Sequence, residues 1–278
     1  MTFDPRVTLA RADLAARALE GLVPAKAYAD TEARVATAAA APLRRSPDPA
    51  GEQLDQLLFG ELFDVLEVQN GFAWGQARRD GYVGFVETAA LAPAGAAPTH
   101  RVRAIRTYAF AEPSIKSRAL GPYSINALAT VEAREGRFAK AVGSGWFVEA
   151  HLAAIGADFE TDAAAVAERF LGAPYLWGGR ESLGLDCSGL VQQALLACGQ
   201  ACPRDTDQQE AAFAAVERGE LRRGDLVFWR GHVAMMLDDA RIIHANAHHM
   251  AVAIEPLSET VERVIGAGGG EPTGFRRP

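Results

Sequence analysis

Short apolar runs, most of them four to eight residues long and bounded by Gly, Asn or Asp, follow one another between residues 51 and 95. The run from Leu62 to Val68 does not alternate strictly, so its prediction as a strand depends on its length, its valines and its flanking turns. A weaker copy of this pattern spans residues 99–152, and both copies end alike, in Gly84-Phe85-Val86 and in Gly145-Trp146-Phe147-Val148. Each copy has the size of a five-stranded barrel. The pattern predicts two small β-barrels, at residues 51–96 and 97–155.

The first fifty residues have a different character. Arg11 to Leu19 reads as a short amphipathic helix, and residues 36–50 are rich in Ala and Pro, as is typical of a linker or an extended strap. Residues 1–50 are therefore predicted to form a helical collar followed by a strap.

From residue 157 onward, helical and strand-like segments alternate. Apolar residues recur at helical spacing over residues 162–170 and 187–197, with Gly199 as the natural stop of the second helix, and a third helix is predicted over 206–218. Three strands follow, at 226–229, 233–237 and 241–245. The chain is thus predicted to be an α+β protein whose last domain comprises residues 156–278.

Composition narrows the class of protein. The chain of 278 residues is 49% hydrophobic and 23% charged, which are globular proportions, and its net charge of -7 argues against nucleic acid as a partner. No apolar run is long enough to span a membrane. The first 22 residues are interrupted by charges and do not resemble a secretion signal, so a cytoplasmic protein is expected. Three cysteines in a chain of this length are not a disulfide framework.

One of those cysteines stands where chemistry is expected. Cys187, in Asp186-Cys187-Ser188-Gly189, lies in the first turn of the predicted second helix, with Asp186 as its N-cap. The unpaired N–H groups and the dipole of a helix start depress a thiol pKa and can hold an oxyanion, so Cys187 is the candidate nucleophile. Cys198 and Cys202 are expected to pack as small apolar residues.

Two histidines are candidates for the base and its orienting partner. If the hairpin after the helix is centred on Asp239, residue 232 faces 246 and residue 234 faces 244, so that His232 and His244 share one face of the sheet. A register shifted by one residue would separate them. A histidine in a strand is often structural, and a metal site of His232, His244, His248 and His249 is an alternative without the usual cysteine or carboxylate ligands. No metal and no cofactor are expected.

Five motifs, in order, resemble the NlpC-type cell-wall cysteine peptidases. They are Tyr175-Leu176-Trp177-Gly178-Gly179, Asp186-Cys187-Ser188-Gly189-Leu190-Val191, Arg223-Gly224-Asp225-Leu226-Val227-Phe228-Trp229, Gly231-His232-Val233-Ala234-Met235 and Ile243-His244-Ala245. The resemblance implies a reduced papain-like fold in which Cys187 is the nucleophile, His232 the base and His244 its orienting partner. The endings of the two barrels resemble those of bacterial SH3-like domains.

The resemblance also implies a substrate. NlpC-type peptidases with two SH3-like domains cut the bond between γ-D-glutamate and a diamino acid in murein peptides that begin with a free L-alanine. By motif, Tyr175, Asp186 and Ser188 would line the cleft and hold the amine, and Glu61 and Tyr82 would contribute from the first barrel. Glu61 can instead be an exposed edge charge, Tyr82 can simply pack, and Arg180 can meet a substrate carboxylate or be a solvated loop residue.

Together with the acidic composition and the expected cytoplasmic location, this implies a peptidase that recycles murein peptides, expected to act as a monomer. Two other classes remain open. One is an exported peptidoglycan hydrolase or amidase, and the other is a non-catalytic protein in which the SH3-like pair captures a ligand.

Overall fold

A computed structural model describes residues 3–278. The chain forms two compact units, and the boundary between them in the sequence falls between Ala157 and Asp158. The described part of the first unit is built almost wholly of strands and short 3₁₀ turns, and the four α-helices found among residues 3–278 lie in the second. The predicted α+β class is confirmed. No helix within the described residues combines the length and the hydrophobicity needed to cross a membrane.

The N-terminal segment does not form the predicted helical collar. β1 (Leu14–Ala16) pairs in parallel with β2 (Ala27–Ala29), and helical geometry in the described part of the segment is limited to a 3₁₀ turn at Arg17–Leu19. The helical propensity of Ala and Arg is a weak preference, and here tertiary pairing overrides it.

Seven strands form the sheet of the first barrel, in the order β5-β4-β8-β7-β6-β3-β9, with antiparallel pairing throughout. The strands are β3 (Glu32–Ala36), β4 (Ala40–Arg44), β5 (Gln53–Leu58), β6 (Leu62–Gln69), β7 (Phe72–Ala77), β8 (Val83–Glu87) and β9 (Leu91–Pro93). The register of β6 on β7 shifts between Val65 and Glu67. This bulge explains why Leu62–Val68 lacks strict alternation.

The predicted strap is wrong, because β3 and β4 belong to this sheet. Ala41 and Leu43 alternate inward and are completely buried, although the prolines around them suggested a linker. Pro42 lies opposite Gln56 of β5, whereas β8 pairs with β4 at Arg44, past the proline. The ring of Pro42 therefore costs the sheet no hydrogen bond on that side.

A second barrel completes the first unit. Its strands are β10 (His100–Val102), β11 (Arg106–Phe110), β12 (Ala119–Ser124), β13 (Leu128–Ala129), β14 (Val131–Glu135), β15 (Phe138–Ala141), β16 (Trp146–Val148) and β17 (Leu152–Ala154). They form two sheets, in the orders β12-β11-β16-β15-β14 and β13-β10-β17. Phe59 of the first barrel packs edge-on against Tyr123 in the core of the second, and its carbonyl accepts a hydrogen bond from Leu128 N–H.

The second unit packs helices on a six-stranded antiparallel sheet of order β20-β25-β21-β22-β23-β24. The helices are α1 (Ala163–Glu168), α2 (Cys187–Ala197), α3 (Thr206–Ala212) and α4 (Leu257–Gly266). The sheet strands are β20 (Ala214–Ala215), β21 (Leu226–Trp229), β22 (His232–Met236), β23 (Arg241–Asn246), β24 (Ala251–Pro256) and β25 (Gly274–Arg277), and β18 (Arg180–Glu181) pairs with β19 (Gly184–Leu185) in a small hairpin.

Two of the helices differ from the sequence prediction. The third helix ends at Ala212 rather than at 218, because the backbone of Phe213 turns extended and Ala214–Ala215 pair with β25. Helix α4, absent from the prediction, packs Leu257 and Val261 against one face of the sheet.

Candidate active site

The start of α2 is anchored by Asp186, as the sequence predicts. The Asp186 carboxylate accepts a 2.7 Å hydrogen bond from Gly189 N–H and a 2.9 Å bond from Gly178 N–H, while Asp186 N–H donates to the Gly179 carbonyl. A Cβ added at Gly189 would lie 2.3 Å from the Gly179 carbonyl oxygen. The absence of a side chain at Gly189 thus lets the loop that contains Gly179 lie close to the start of α2. This contact fixes Cys187 at the first position of the helix.

The thiol of Cys187 is buried, with 7% of the residue exposed. Burial raises the pKa of the Cys187 thiol to about 12, the charge of Asp186 adds to this, and hydrogen bonding to the N–H groups of Val233 and Ser188 opposes it. The depressed thiol pKa predicted from the helix start is therefore wrong, because desolvation of the thiolate outweighs the favourable position. The contact with Val233, the neighbour of His232 in the chain, brings the thiol to the beginning of β22.

The hairpin of β22 and β23 has the predicted register. Met235 pairs with Ile243 and Met236 with Ile242, which centres the turn on Asp239. His232 and His244 consequently share a face, with ring centroids 5.1 Å apart and His232 Nε2 lying 2.9 Å from His244 Nδ1. Burial and the positive potential of His244 and Arg263 lower the pKa of His232 to about 3.

A carboxylate that sequence reasoning missed lies behind the pair. Glu255 Oε2 is 2.6 Å from His244 Nε2, and the fork of Arg263 contacts both carboxylate oxygens at 2.6 Å. His249 Nε2 lies 3.0 Å from Glu255 Oε1. Partial burial acts to raise the pKa of Glu255, but the hydrogen bonds from Arg263, His249 and His244 outweigh it and hold that pKa well below its usual range.

The second missed residue is Arg204, which is 1% exposed. Its guanidinium binds both oxygens of Asp186, at 3.0 and 2.7 Å, and donates to Ser188 Oγ at 2.9 Å. Ser188 Oγ in turn donates to Asp186 Oδ1 at 3.2 Å. Asp186 and Ser188 therefore lie beside the nucleophile as predicted, but their polar atoms already have protein partners, and a substrate amine would have to displace one of them.

Tyr175 is half-buried near the start of α2. Its N–H donates to the Met250 carbonyl, and its backbone forms a parallel bridge with Leu185. Burial, with the charges of Cys187 and Asp186, raises the pKa of Tyr175, so its hydroxyl is a proton donor at neutral pH. The arrangement thus holds a thiol, a neutral imidazole with an orienting partner, and a hydroxyl donor, which together suit attack on a carbonyl.

The three remaining residues predicted to contact substrate, Arg180, Glu61 and Tyr82, are all buried. Arg180 is completely buried at the base of the small hairpin, not solvated. In the first unit, Glu61 is 1% exposed, accepts from Leu58 N–H at 3.0 Å and binds Arg79 at 2.8 Å. Tyr82 is 3% exposed within the core of the first barrel. Glu61 is thus not an exposed edge charge, and the roles of Glu61 and Tyr82 in substrate binding stay predictions.

Comparison with known proteins agrees with this class of site. Residues 172–264 match the NlpC/P60 family, and residues 43–91 match the bacterial dipeptidyl-peptidase Sh3 domain. The chain therefore joins an NlpC/P60 domain to a bacterial dipeptidyl-peptidase SH3 domain, and the predicted resemblance is confirmed.

Individual relatives are similar over part of their length. A γ-D-glutamyl-L-lysine dipeptidyl-peptidase of Bacillus cereus is 36% identical over 108 residues, 35% of this chain and 32% of that protein. Its counterpart from Bacillus subtilis is 34% identical over 100 residues, 33% of this chain and 34% of the relative. The match thus spans about a third of the length of these relatives. A solved NlpC/P60 family protein from Bacillus cereus shares the fold over 88% of this chain and 99% of its own, with a TM-score of 0.76 at 22% identity.

Proposed function

We propose that this protein is a cysteine endopeptidase that hydrolyses the γ-D-glutamyl–diamino acid bond of murein stem peptides. The observation that carries the proposal is the alignment of His232, His244 and Glu255 next to the thiol at the start of α2. The names of the relatives, which include γ-D-glutamyl-L-lysine dipeptidyl-peptidases, support the choice of bond.

In the proposed reaction the free protein holds a neutral thiol and a neutral imidazole, in keeping with their shifted pKa values. Because His232 Nε2 faces His244, the nitrogen left for the thiol is Nδ1. The Cys187 proton passes to this Nδ1 as Sγ bonds to the amide carbon. The oxyanion that forms is stabilised by Cys187 N–H and by the hydroxyl of Tyr175.

The tetrahedral intermediate collapses when His232 Nδ1–H protonates the departing amine of the diamino acid, which leaves a thioester on Cys187. Water then loses a proton to His232 Nδ1 and attacks the thioester carbon. The γ-carboxyl product leaves, and the proton returns to Sγ, so the enzyme is regenerated.

We also propose that the substrate is a short murein peptide with a free N-terminal L-Ala and that the protein acts in cytoplasmic recycling. The net charge of -7 supports this setting, because the anionic polymers of a cell wall favour a basic surface. Three cysteines in a chain of 278 residues are too few for a disulfide framework, which suits a reducing compartment.

Mass spectrometry of the products tests the proposal. Peptides of the form L-Ala-γ-D-Glu-diamino acid, with and without an acetylated N-terminus, are incubated with the protein and with Cys187→Ala. We expect L-Ala-D-Glu and the free diamino acid from the unblocked peptide alone, and no product from Cys187→Ala. Cleavage of both peptides would remove the requirement for the amine. Binding of the peptide without cleavage would favour the non-catalytic class. Fractionation of the cells tests the location separately, and recovery of the protein in the extracellular fraction would favour an exported hydrolase.

A further inference from the structure

Glu255 occupies a position that the register of β23 and β24 fixes. It lies opposite Ile242, on the same face as His244, whose own partner in the ladder is Ala253. Its side chain is 11% exposed, and both of its oxygens are engaged by Arg263 of α4. Thr260, also on α4, contributes a longer contact of 3.4 Å to Oε2. One carboxylate therefore joins the second histidine to α4, which packs on the same face of the sheet.

The proton positions in the pair follow from this carboxylate. An ionised carboxylate only accepts, so at 2.6 Å the proton must lie on His244 Nε2. A neutral His244 then has a bare Nδ1, which accepts from His232 Nε2–H across 2.9 Å. His232 is left with a bare Nδ1. A single negative charge thus fixes the tautomers of two rings in series.

We propose that Glu255 is a positioning residue of the reaction: its negative charge, held by Arg263, keeps His244 and His232 in the tautomers that leave His232 Nδ1 free to accept the thiol proton. The proposal rests on the proposed function. It differs from a purely structural role, in which the Glu255–Arg263 pair only ties α4 to the sheet.

Several charged groups act on the pair. His244 and Glu255 face each other from the two strands, Arg263 comes from α4, and His249 comes from the loop between the strands. Arg263 lowers the pKa values of both rings and Glu255 raises them. Loss of the Glu255 charge alone should therefore shift the protonation of both rings to lower pH, which loss of packing would not do.

The decisive test reads the tautomers directly. The full chain is labelled with ¹⁵N-histidine, and the ring nitrogens of His232 and His244 are assigned with single variants. We expect both rings of the wild type to carry the proton on Nε2 at neutral pH. Glu255→Gln should give mixed tautomers, because an amide can either accept from or donate to His244 Nε2. Glu262→Gln, the same substitution at an exposed position of α4, should leave them unchanged. Unchanged tautomers in Glu255→Gln would overturn the proposal.

Kinetics add a second readout. Glu255→Gln should lower kcat by roughly 10- to 100-fold, less than the ~10⁴-fold loss seen when a carboxylate directly on a catalytic base is neutralised, with KM unchanged. The acid limb of its pH profile should move to lower pH, because the pKa values of the rings fall. A lower kcat with an acid limb at the wild-type pH would indicate that Glu255 has a merely structural role. If no peptide is cleaved by the wild type, the proposed function fails, while the tautomers still decide the state of the pair.

Arg263→Gln covers the case in which Glu255→Gln fails to fold. It breaks the tie to α4 and keeps the carboxylate, which now has fewer donors and protonates at higher pH. We expect wild-type tautomers at neutral pH that become mixed as the pH falls, over a range in which the wild type stays uniform. Mixed tautomers at neutral pH, where Glu255 is still charged, would show that the ion pair with Arg263 of α4, and not the charge of Glu255, determines the tautomers of the two rings.

Discussion

His232 and His244 meet through one ring nitrogen each, with Nε2 of the first 2.9 Å from Nδ1 of the second. The contact exists because the hairpin register places the two residues on one face, where neighbouring strands bring long side chains within reach. The two rings nevertheless have unequal roles in the proposed reaction. Only His232 lies next in the chain to Val233, whose N–H reaches the thiol.

This inequality predicts the order of two variants. His232→Ala removes the base and should lower kcat/KM by about 10²- to 10⁴-fold. His244→Ala removes an orienting partner and should cost less, because the base remains. Steady-state kinetics on the unblocked murein peptide measure both, and far-UV circular dichroism checks the fold. An equal or larger loss in His244→Ala would reverse the two roles.

Helix position and hairpin register were the parts of the site that the sequence could predict. The Asp186–Cys187 step marks a helix start through local capping chemistry, and the turn at Asp239 sets the register through strand periodicity. Each signal is part of the element that it determines, the cap of α2 in the first case and the turn of the hairpin in the second. The pKa direction of Cys187 could not be predicted, because desolvation depends on what the fold packs over the thiol.

Glu255 and Arg204 were missed for a related reason. Each lies in a different element from its partner, Glu255 in β24 against His244 in β23 and Arg204 in the loop before α3 against Asp186 at the start of α2, and no local sequence pattern pairs them. A charged side chain in a strand or loop is usually exposed to solvent, and only the fold shows that the side chains of Glu255 and Arg204 are largely buried. For α4 a signal was available, since Leu257, Val261 and Val264 recur at helical spacing after Pro256.

A second prediction concerns the reactivity of the thiol. With its pKa raised to about 12, Cys187 is mostly protonated at neutral pH, and the thiolate fraction grows tenfold with each pH unit below that value. The rate of alkylation of Cys187 by iodoacetamide should therefore keep rising from pH 6 to pH 9. Peptide mass spectrometry follows the site, with the other two cysteines replaced by serine. A rate that is level above about pH 6 would indicate a preformed thiolate instead.

A third prediction concerns the buried pair of Arg204 and Asp186. Arg204→Met would leave the Asp186 carboxylate buried without its counter-charge, which should lower the free energy of unfolding by about 3–5 kcal/mol. Arg241→Met is the matched control, since Arg241 and Asp238 form an exposed pair worth about 0–1 kcal/mol. Urea unfolding measures both variants. Equal effects would mean that the buried pair contributes no more than a surface pair.

A fourth prediction distinguishes two roles for Glu61. Its carboxylate accepts from Leu58 N–H and from Arg79, and Arg79 also donates to the Asn126 carbonyl of the second barrel at 3.0 Å. If Glu61 holds the barrels together, Glu61→Gln should cost about 1.5–3 kcal/mol of unfolding free energy with an unchanged KM. A raised KM at unchanged stability would instead support the contact with substrate. Urea unfolding and kinetics on the murein peptide distinguish the two results.

The last prediction concerns the turn that precedes Glu61. Gly60 has a φ of +78°, and a Cβ added there would lie 2.2 Å from the Leu128 carbonyl oxygen of the second barrel. Gly71 has a nearly identical φ of +80° with no atom within 4 Å of an added Cβ. Both Gly→Ala variants incur the left-handed backbone cost of about 1–2 kcal/mol. Gly60→Ala should lose about 1–3 kcal/mol more, because its methyl group separates the barrels. Equal losses of unfolding free energy in the two variants, measured with urea, would show that the contact between the barrels adjusts to the methyl group without strain.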